Sequence, residues 1–283
     1  LDPAFPGKVK LTAFNPMIPL NDDVSSLPAA FFTIAVHNDS RQAIDYTVAF
    51  SARNPAGMKT TNRLVKFPGA QLLHMTGDLD PSDSAFGDFA VATDALEARA
   101  QEYWYRGGWF DTLGVFWRDF AVPGEMKTRS YPDPGSGDHG TLSVRLRVPA
   151  GRQAAARFVF SWNVPNCENY WSSCCGEGQC KPKTWRNYYA TRFSDAVASA
   201  RHCLDNWDRL ERESALFRDA LFASTLPAPV LDAVSVNISI LKTPTCLRLE
   251  DGAFYGFEGC HADKGCCEGS CTHVWNYAYA LPF

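Results

Sequence analysis

Apolar and polar residues alternate in several short runs of the first two thirds of the chain. Val9, Leu11 and Ala13 form one run, and Tyr46, Val48 and Phe50 a second. Leu142, Val144, Leu146 and Val148 form a third, and Phe158, Phe160 and Trp162 a fourth. Ser143, Arg145 and Arg147 fill the gaps of the third run. A period of two places one set of side chains on a core face and the other in water. Turn-rich clusters at 54–57 and 131–140 break up the runs. Together they predict an antiparallel β-sandwich over residues 1–182.

The pattern changes after that. No Gly or Pro occurs from 183 to 226. Val197, Ala200, Leu204, Trp207, Leu210, Phe217 and Leu221 recur mostly at three- and four-residue steps, opposite Arg201, Asp205, Asp208, Arg212 and Arg218. This predicts one long amphipathic linker helix over 183–226. Pro227 and Pro229 end it and suit the start of a second helix, marked by Val230, Val234, Ile238 and Leu241. Residues 247–257 read as extended or turning, and 271–281 as the start of a third helix. Strands come first and helices after. That order predicts units in series rather than an alternating α/β chain.

Composition sharpens the picture in three places. Fourteen of the 18 prolines and 15 of the 20 glycines precede Lys183, which agrees with a turn-rich first unit. Lys+Arg is 27 against 31 Asp+Glu, a formal charge of −4, which argues against a nucleic-acid binder. The longest apolar run, 27–36, contains Pro28 and Thr33 and falls well short of the ~20 residues of a spanning helix. Leu1 is not followed by a basic and then apolar leader, so no signal peptide is read. The apolar, aromatic stretch at Phe283 predicts that the natural protein continues.

Eight of the ten cysteines fall in two clusters, Cys167, Cys174, Cys175 and Cys180, then Cys260, Cys266, Cys267 and Cys271. Neither has the C-x-x-C spacing of common zinc modules. Disulfides, which would favour an extracytoplasmic compartment, reduced buried thiols, and a metal site including His261 or His273 all stay open. Cys203 and Cys246 are expected to be free and buried. No cofactor is expected.

Candidate chemistry concentrates near the C-terminal end. In Phe254-Tyr-Gly-Phe-Glu-Gly-Cys260 a carboxylate, Glu258, stands between Gly256 and Gly259 beside Tyr255 and Phe257. Glycines allow close backbone approach to a ligand, and aromatics supply walls for apolar faces. Cys271-Thr-His-Val-Trp-Asn-Tyr277 then gathers polar and aromatic groups. On composition alone, a Glu in a Gly loop is more often a solvated turn residue, and His273 beside Trp275 a satisfied core histidine. No nucleophile elbow, P-loop, dinucleotide fingerprint or H-E-x-x-H motif is present. Ser136, Asp138 and His139 sit too close together in one loop to form a relayed triad.

Leu11-Thr-Ala-Phe-Asn-Pro-Met-Ile-Pro-Leu20, Leu27-Pro-Ala-Ala-Phe-Phe32 and Val36-His-Asn38 resemble the amino-terminal domain of glycoside hydrolase family 116, the non-lysosomal glucosylceramidase and β-glucosidase family. Asp111-Thr-Leu-Gly114, Phe158-Val-Phe-Ser-Trp-Asn-Val-Pro165 and the tail 254–277 resemble it too, in the same order. The resemblance implies a mainly β plus α architecture. An antiparallel sandwich over 1–182 leads through the linker helix 183–226 into the first helices, 227–283, of an incomplete (α/α)6 barrel. It implies a retaining β-glycosidase acting on a β-glycoside or glycolipid. Glu258 would be the nucleophile, and the acid/base Asp would lie beyond Phe283, so these residues alone would be inactive. Thr272, His273, Trp275, Asn276 and Tyr277 would bind substrate. His273 stands where several relatives carry an Asp that binds a sugar hydroxyl. The alternative is a carbohydrate-binding or structural sandwich without catalysis.

Overall fold

A computed structural model of the chain describes residues 5–122, 126–169, 183–259, 267 and 269. Six strands pair antiparallel in one sheet: β1 (Gly7–Phe14), β2 (Ala29–Asn38), β9 (Gln153–Asn163), β6 (Asp88–Thr93), β5 (Ala70–Thr76) and β4 (Thr61–Phe67), in that spatial order. A second antiparallel sheet has β8 (His139–Val148) between β3 (Ile44–Arg53) and β7 (Arg99–Gln101). The two sheets face each other over Tyr46, Val48, Leu73, Met75, Leu142, Val144 and Phe158, all buried. The sandwich read from the alternating runs is therefore present.

The period-two reading holds where a facing layer exists. Leu142, Val144 and Val148 are buried, whereas Arg145 and Arg147 are exposed. It fails in β1. Val9 and Leu11 are 50% and 61% exposed, because β1 is the edge of its sheet. In β5 and β9 the alternation is hidden, because adjacent residues are both buried. Leu73 and Phe158 face the second sheet, while Leu72 and Val159 join a core on the opposite face. A strand covered on both sides reads as a continuous apolar run.

That opposite face is covered by helices. The single helix expected over 183–226 is corrected to β11 (Lys183–Arg186), a 3-10 turn at Tyr188–Thr191, α3 (Ala196–Asp205) and α4 (Trp207–Phe222). β11 pairs with β10 (Asn166–Asn169), drawing the Trp185 stretch into a ribbon. α3 starts where the Asp195 carboxylate accepts the Ala198 N–H at 2.7 Å, an N-cap. Asp88 of β6 accepts the Ala196 N–H at 3.0 Å and pairs with His74, which fastens the helix start to the sheet. α3 stops at Asn206, whose side-chain amide donates to His202 O at 2.9 Å. Ala196, Ala200, Cys203, Trp207 and Leu210 pack on Phe31, Leu72, Ala90 and Val159 as a third layer. Trp207 meets Phe31 edge-on at 4.9 Å.

Short helices occupy two loops: α1 (Asp22–Ser25) between β1 and β2, and α2 (Thr112–Phe120) between β7 and β8. α5 (Ala228–Ser239) begins after Pro227 with Pro229 in its first turn, as read from the prolines. A 3-10 turn at Ile240–Lys242 and a hairpin, β12 (Cys246–Arg248) and β13 (Phe254–Gly256), follow. No helix among the described residues is long and apolar enough to cross a membrane.

Candidate active site

The hairpin that leads to Glu258 is built by local chemistry. Cys246, Leu247 and Arg248 pair with Gly256, Tyr255 and Phe254. Its turn closes through Leu249 N–H to Ala253 O at 2.9 Å, and Gly252 takes a φ of +85° that a side chain would oppose. Past β13, Phe257 is 1% exposed and donates its N–H to Thr245 O at 2.8 Å. The next amide, of Glu258, meets Cys267 Sγ at 3.1 Å, and Gly256 N–H reaches Gly269 O at 2.9 Å. Gly269 has a φ of +84°, and a Cβ there would fall 2.7 Å from the Tyr255 ring. The main chain leading into the carboxylate, from Gly256 to Glu258, is thus pinned while the Glu258 side chain itself is exposed.

Glu258 is the one sequence-derived site residue that the structure describes. Thr272, His273, Trp275, Asn276 and Tyr277 lie outside the described residues, as do His261, Cys260, Cys266 and Cys271. Among the described residues, no group of three or more His, Cys, Asp or Glu side chains is placed to hold a metal. Cys203 is a fully buried reduced thiol that burial pushes up to about 12. Cys167 is half-buried and pushed up to about 11 for the same reason. Neither is a nucleophile near neutral pH. Cys246 is buried.

Beside the hairpin opens a cleft of about 1110 Å³. One wall is the loop before β2, with Asn15, Met17 and Leu27; the other is Leu241 to Arg248 and Phe254; Trp162 and Tyr188 also line it. Glu258 is not among its lining residues. Two basic residues that sequence reasoning missed stand on its wall. Lys242 donates to Pro16 O at 2.8 Å and also to Ser25 O. Burial pushes its ammonium down to about 8. Arg248 pairs with Asp22 at 2.5 Å, lies 3.7 Å from Asp23, and sits 3.3 Å over the Tyr188 ring. The Tyr188 hydroxyl donates to Asp23 at 2.6 Å, which holds the Asp23 carboxyl below its ordinary value, and the Arg192 and Arg248 charges act in the same direction. The available signal was thin: the carboxylates at Asp22 and Asp23, whose side-chain partners lie more than 160 residues away.

A second cleft, of about 360 Å³, lies between the end of β1 and α4 and α5. The His74–Asp88 pair elsewhere looks like an acid–base couple. Its carboxylate already accepts the Ala196 N–H, so the pair serves the sheet–helix junction.

Comparison with known proteins identifies the chain by its first unit. The family described as beta-glucosidase 2, glycosyl-hydrolase family 116 N-term, matches residues 1–210. No curated protein matches. A solved structure described as a putative kojibiose phosphorylase from human microbiome is 10% identical, with a TM-score of 0.35. The alignment covers 76% of this chain and 22% of that one, so the chain spans about a fifth of that protein's length. At that similarity the likeness carries no functional weight. The 1–210 match covers both sheets, α3 and the first buried residues of α4, and on it the chain belongs to glycosyl-hydrolase family 116.

Proposed function

We propose that this chain is part of a retaining β-glycosidase and that Glu258 is its nucleophile. The carrying observation is the family match over 1–210, followed by a Gly-Phe-Glu-Gly sequence. On this reading residues 227–283 begin an (α/α)6 catalytic barrel, and α5 is its first helix. The general acid/base is an Asp beyond Phe283. A retaining mechanism needs two carboxyl groups about 5–5.5 Å apart. The ionised Glu258 attacks the anomeric carbon as the acid protonates the leaving oxygen. The glycosyl–carboxylate ester is then hydrolysed by water that the same second residue deprotonates. The pinned backbone at Phe257 and Glu258 supports this reading, because an attacking carboxylate must be held close to its trajectory. Thr272, His273, Asn276 and Tyr277 are proposed as hydrogen-bonding groups for the carboxylate or sugar hydroxyls, and Trp275 as a stacking face.

Glu258→Gln in the enzyme carrying both carboxyl groups is expected to abolish hydrolysis of an aryl β-glucoside and leave the fold intact. A 2-deoxy-2-fluoro β-glucoside should label the wild type on the peptide containing Glu258. Near-wild-type turnover by the variant, or a label elsewhere, removes the assignment.

A second reading rests on a different surface. Trp109 and Trp117 are 89% and 62% exposed, beside Phe110 in a left-handed conformation of φ +61°. Exposed aromatic faces favour a sugar-docking role for the sandwich. Retention of the chain on an insoluble β-glucan, lost in Trp109→Ala/Trp117→Ala, would support it. Equal retention of both proteins would end it.

A further inference from the structure

Lys242 and Arg248 are the only basic residues between Ile240 and Glu258, and both spend their charge on one short segment of the sandwich. Lys242 grips the carbonyls of Pro16 and Ser25. Arg248 pairs with the Asp22 carboxylate and lies 3.7 Å from that of Asp23. The gripped segment is itself rigid. Asn21 caps α1 by accepting the Val24 N–H, and Ser25 Oγ bridges both backbone groups of Ile18. Val24 and Leu27 are anchored in the core between sheet and helices.

The two grips bracket the chain that enters the hairpin: Lys242 ends the 3-10 turn four residues before β12, and Arg248 closes β12. Lys242 lies three residues before Thr245, whose carbonyl receives the Phe257 amide. Three residues span at most about 11 Å, so the Lys242 grip acts close to the exit toward Glu258. The hairpin is also tied to the ribbon, through Glu250 N–H to Arg186 O at 2.9 Å and a bridge between Asn187 and Leu249. Both hold two distant parts of the chain together, with Arg248 Nη1 left buried and without a hydrogen-bond partner.

We infer that Lys242 and Arg248 are positioning residues: they clamp the hairpin carrying Glu258 to the 16–25 segment, which makes the sandwich part of the active-site scaffold. The catalytic purpose rests on the reading of Glu258 as nucleophile, but the clamp can be measured without it. Amide exchange in the 283-residue chain reports the hairpin directly. In Arg248→Met and Lys242→Met, exchange at Phe257 and Glu258 should rise about tenfold or more, while core amides such as Leu72 and Phe158 keep their rates. Arg248→Lys, which keeps the charge but not the planar fork, should fall between. Unchanged exchange at 257 and 258, or equal acceleration of the core amides, overturns the clamp. In the active enzyme the Met variants should lose about tenfold or more in kcat, with KM held within about twofold. A KM effect alone overturns the positioning role. Should exchange respond as expected while Glu258→Gln keeps turnover, the nucleophile assignment falls and the clamp stands.

Discussion

Lys242 carries its charge into a place that penalises it. Burial lowers its pKa to about 8, against the 10.5 of an ordinary lysine. The two carbonyls accept two of its three N–H groups without supplying a counter-charge. Below pH 8 both the folded and unfolded chains hold the proton, and the full cost of the buried charge is present. Between about 8 and 10.5 the unfolded chain holds more protons than the folded one, so stability rises with pH across that window. The rise should be on the order of 1–3 kcal/mol. Asp22, Tyr188, Tyr189, Cys246 and Arg248 line the same cleft, so the comparison must be with a variant that keeps them. Urea unfolding at pH 7.5 and 9.5 should show the gain in the wild type and lose most of it in Lys242→Met. The same slope in both proteins would mean that Lys242 titrates as a solvated amine.

At the scale of elements, two carboxylates hold the start of α3, Asp195 at Ala198 N–H and Asp88 at Ala196 N–H. Asp195→Ala leaves the Ala198 N–H without its acceptor and should cost about 1 kcal/mol, read as a lower urea midpoint at unchanged m-value. Asp88 still holds the Ala196 N–H, so the helix should persist. The same cap explains why one helix was expected over 183–226 and two were found. A stretch without Gly or Pro carries no strong break signal, and Asp195 and Asn206 are common surface residues until their side chains are seen to bond the backbone. Elsewhere the elements were legible in proportion to how one-sided their burial is. Leu142 to Val148 alternates in hydropathy because only one face of β8 meets the apolar core, the other carrying the buried but hydrogen-bonded Ser143 and the exposed Arg145 and Arg147. Val9 and Leu11 misled because hydropathy does not reveal an edge position, and β5 hid its alternation because both faces are covered. Of the proposed site, Glu258 stands out only through the family resemblance, since a Glu in a Gly loop by itself reads as a solvated turn residue. Lys242 and Arg248 do not stand out, since each is a lone charge whose partner lies over 200 residues away.

At the scale of the molecule, the first unit is a three-layer assembly rather than a two-layer sandwich. The apolar residues of α3 and the start of α4 close the face of the six-stranded sheet that the second sheet cannot reach. Leu210, fully buried, is the last helical residue in that core, and the family match ends at the same position. Beyond it α4 turns apolar residues outward: Leu216 and Phe222 are 69% and 54% exposed. A chain cut after 210 should therefore unfold as one cooperative unit. A chain cut after 182 should not, because it loses Ala196, Ala200, Cys203, Trp207 and Leu210 together. Trp207 alone buries roughly 150–250 Å², worth about 4–6 kcal/mol at ~25 cal/mol per Å². That rivals the whole net stability of a typical domain, about 5–15 kcal/mol. Losing it would also uncover Phe31, Leu72 and Val159 on a flat sheet face, a surface prone to association. Calorimetry of the two truncations decides the matter. A single transition for 1–210, with broad melting or aggregation for 1–182, is expected. A cooperative, monomeric 1–182 would show that the helices are an accessory to the sandwich rather than a layer of it.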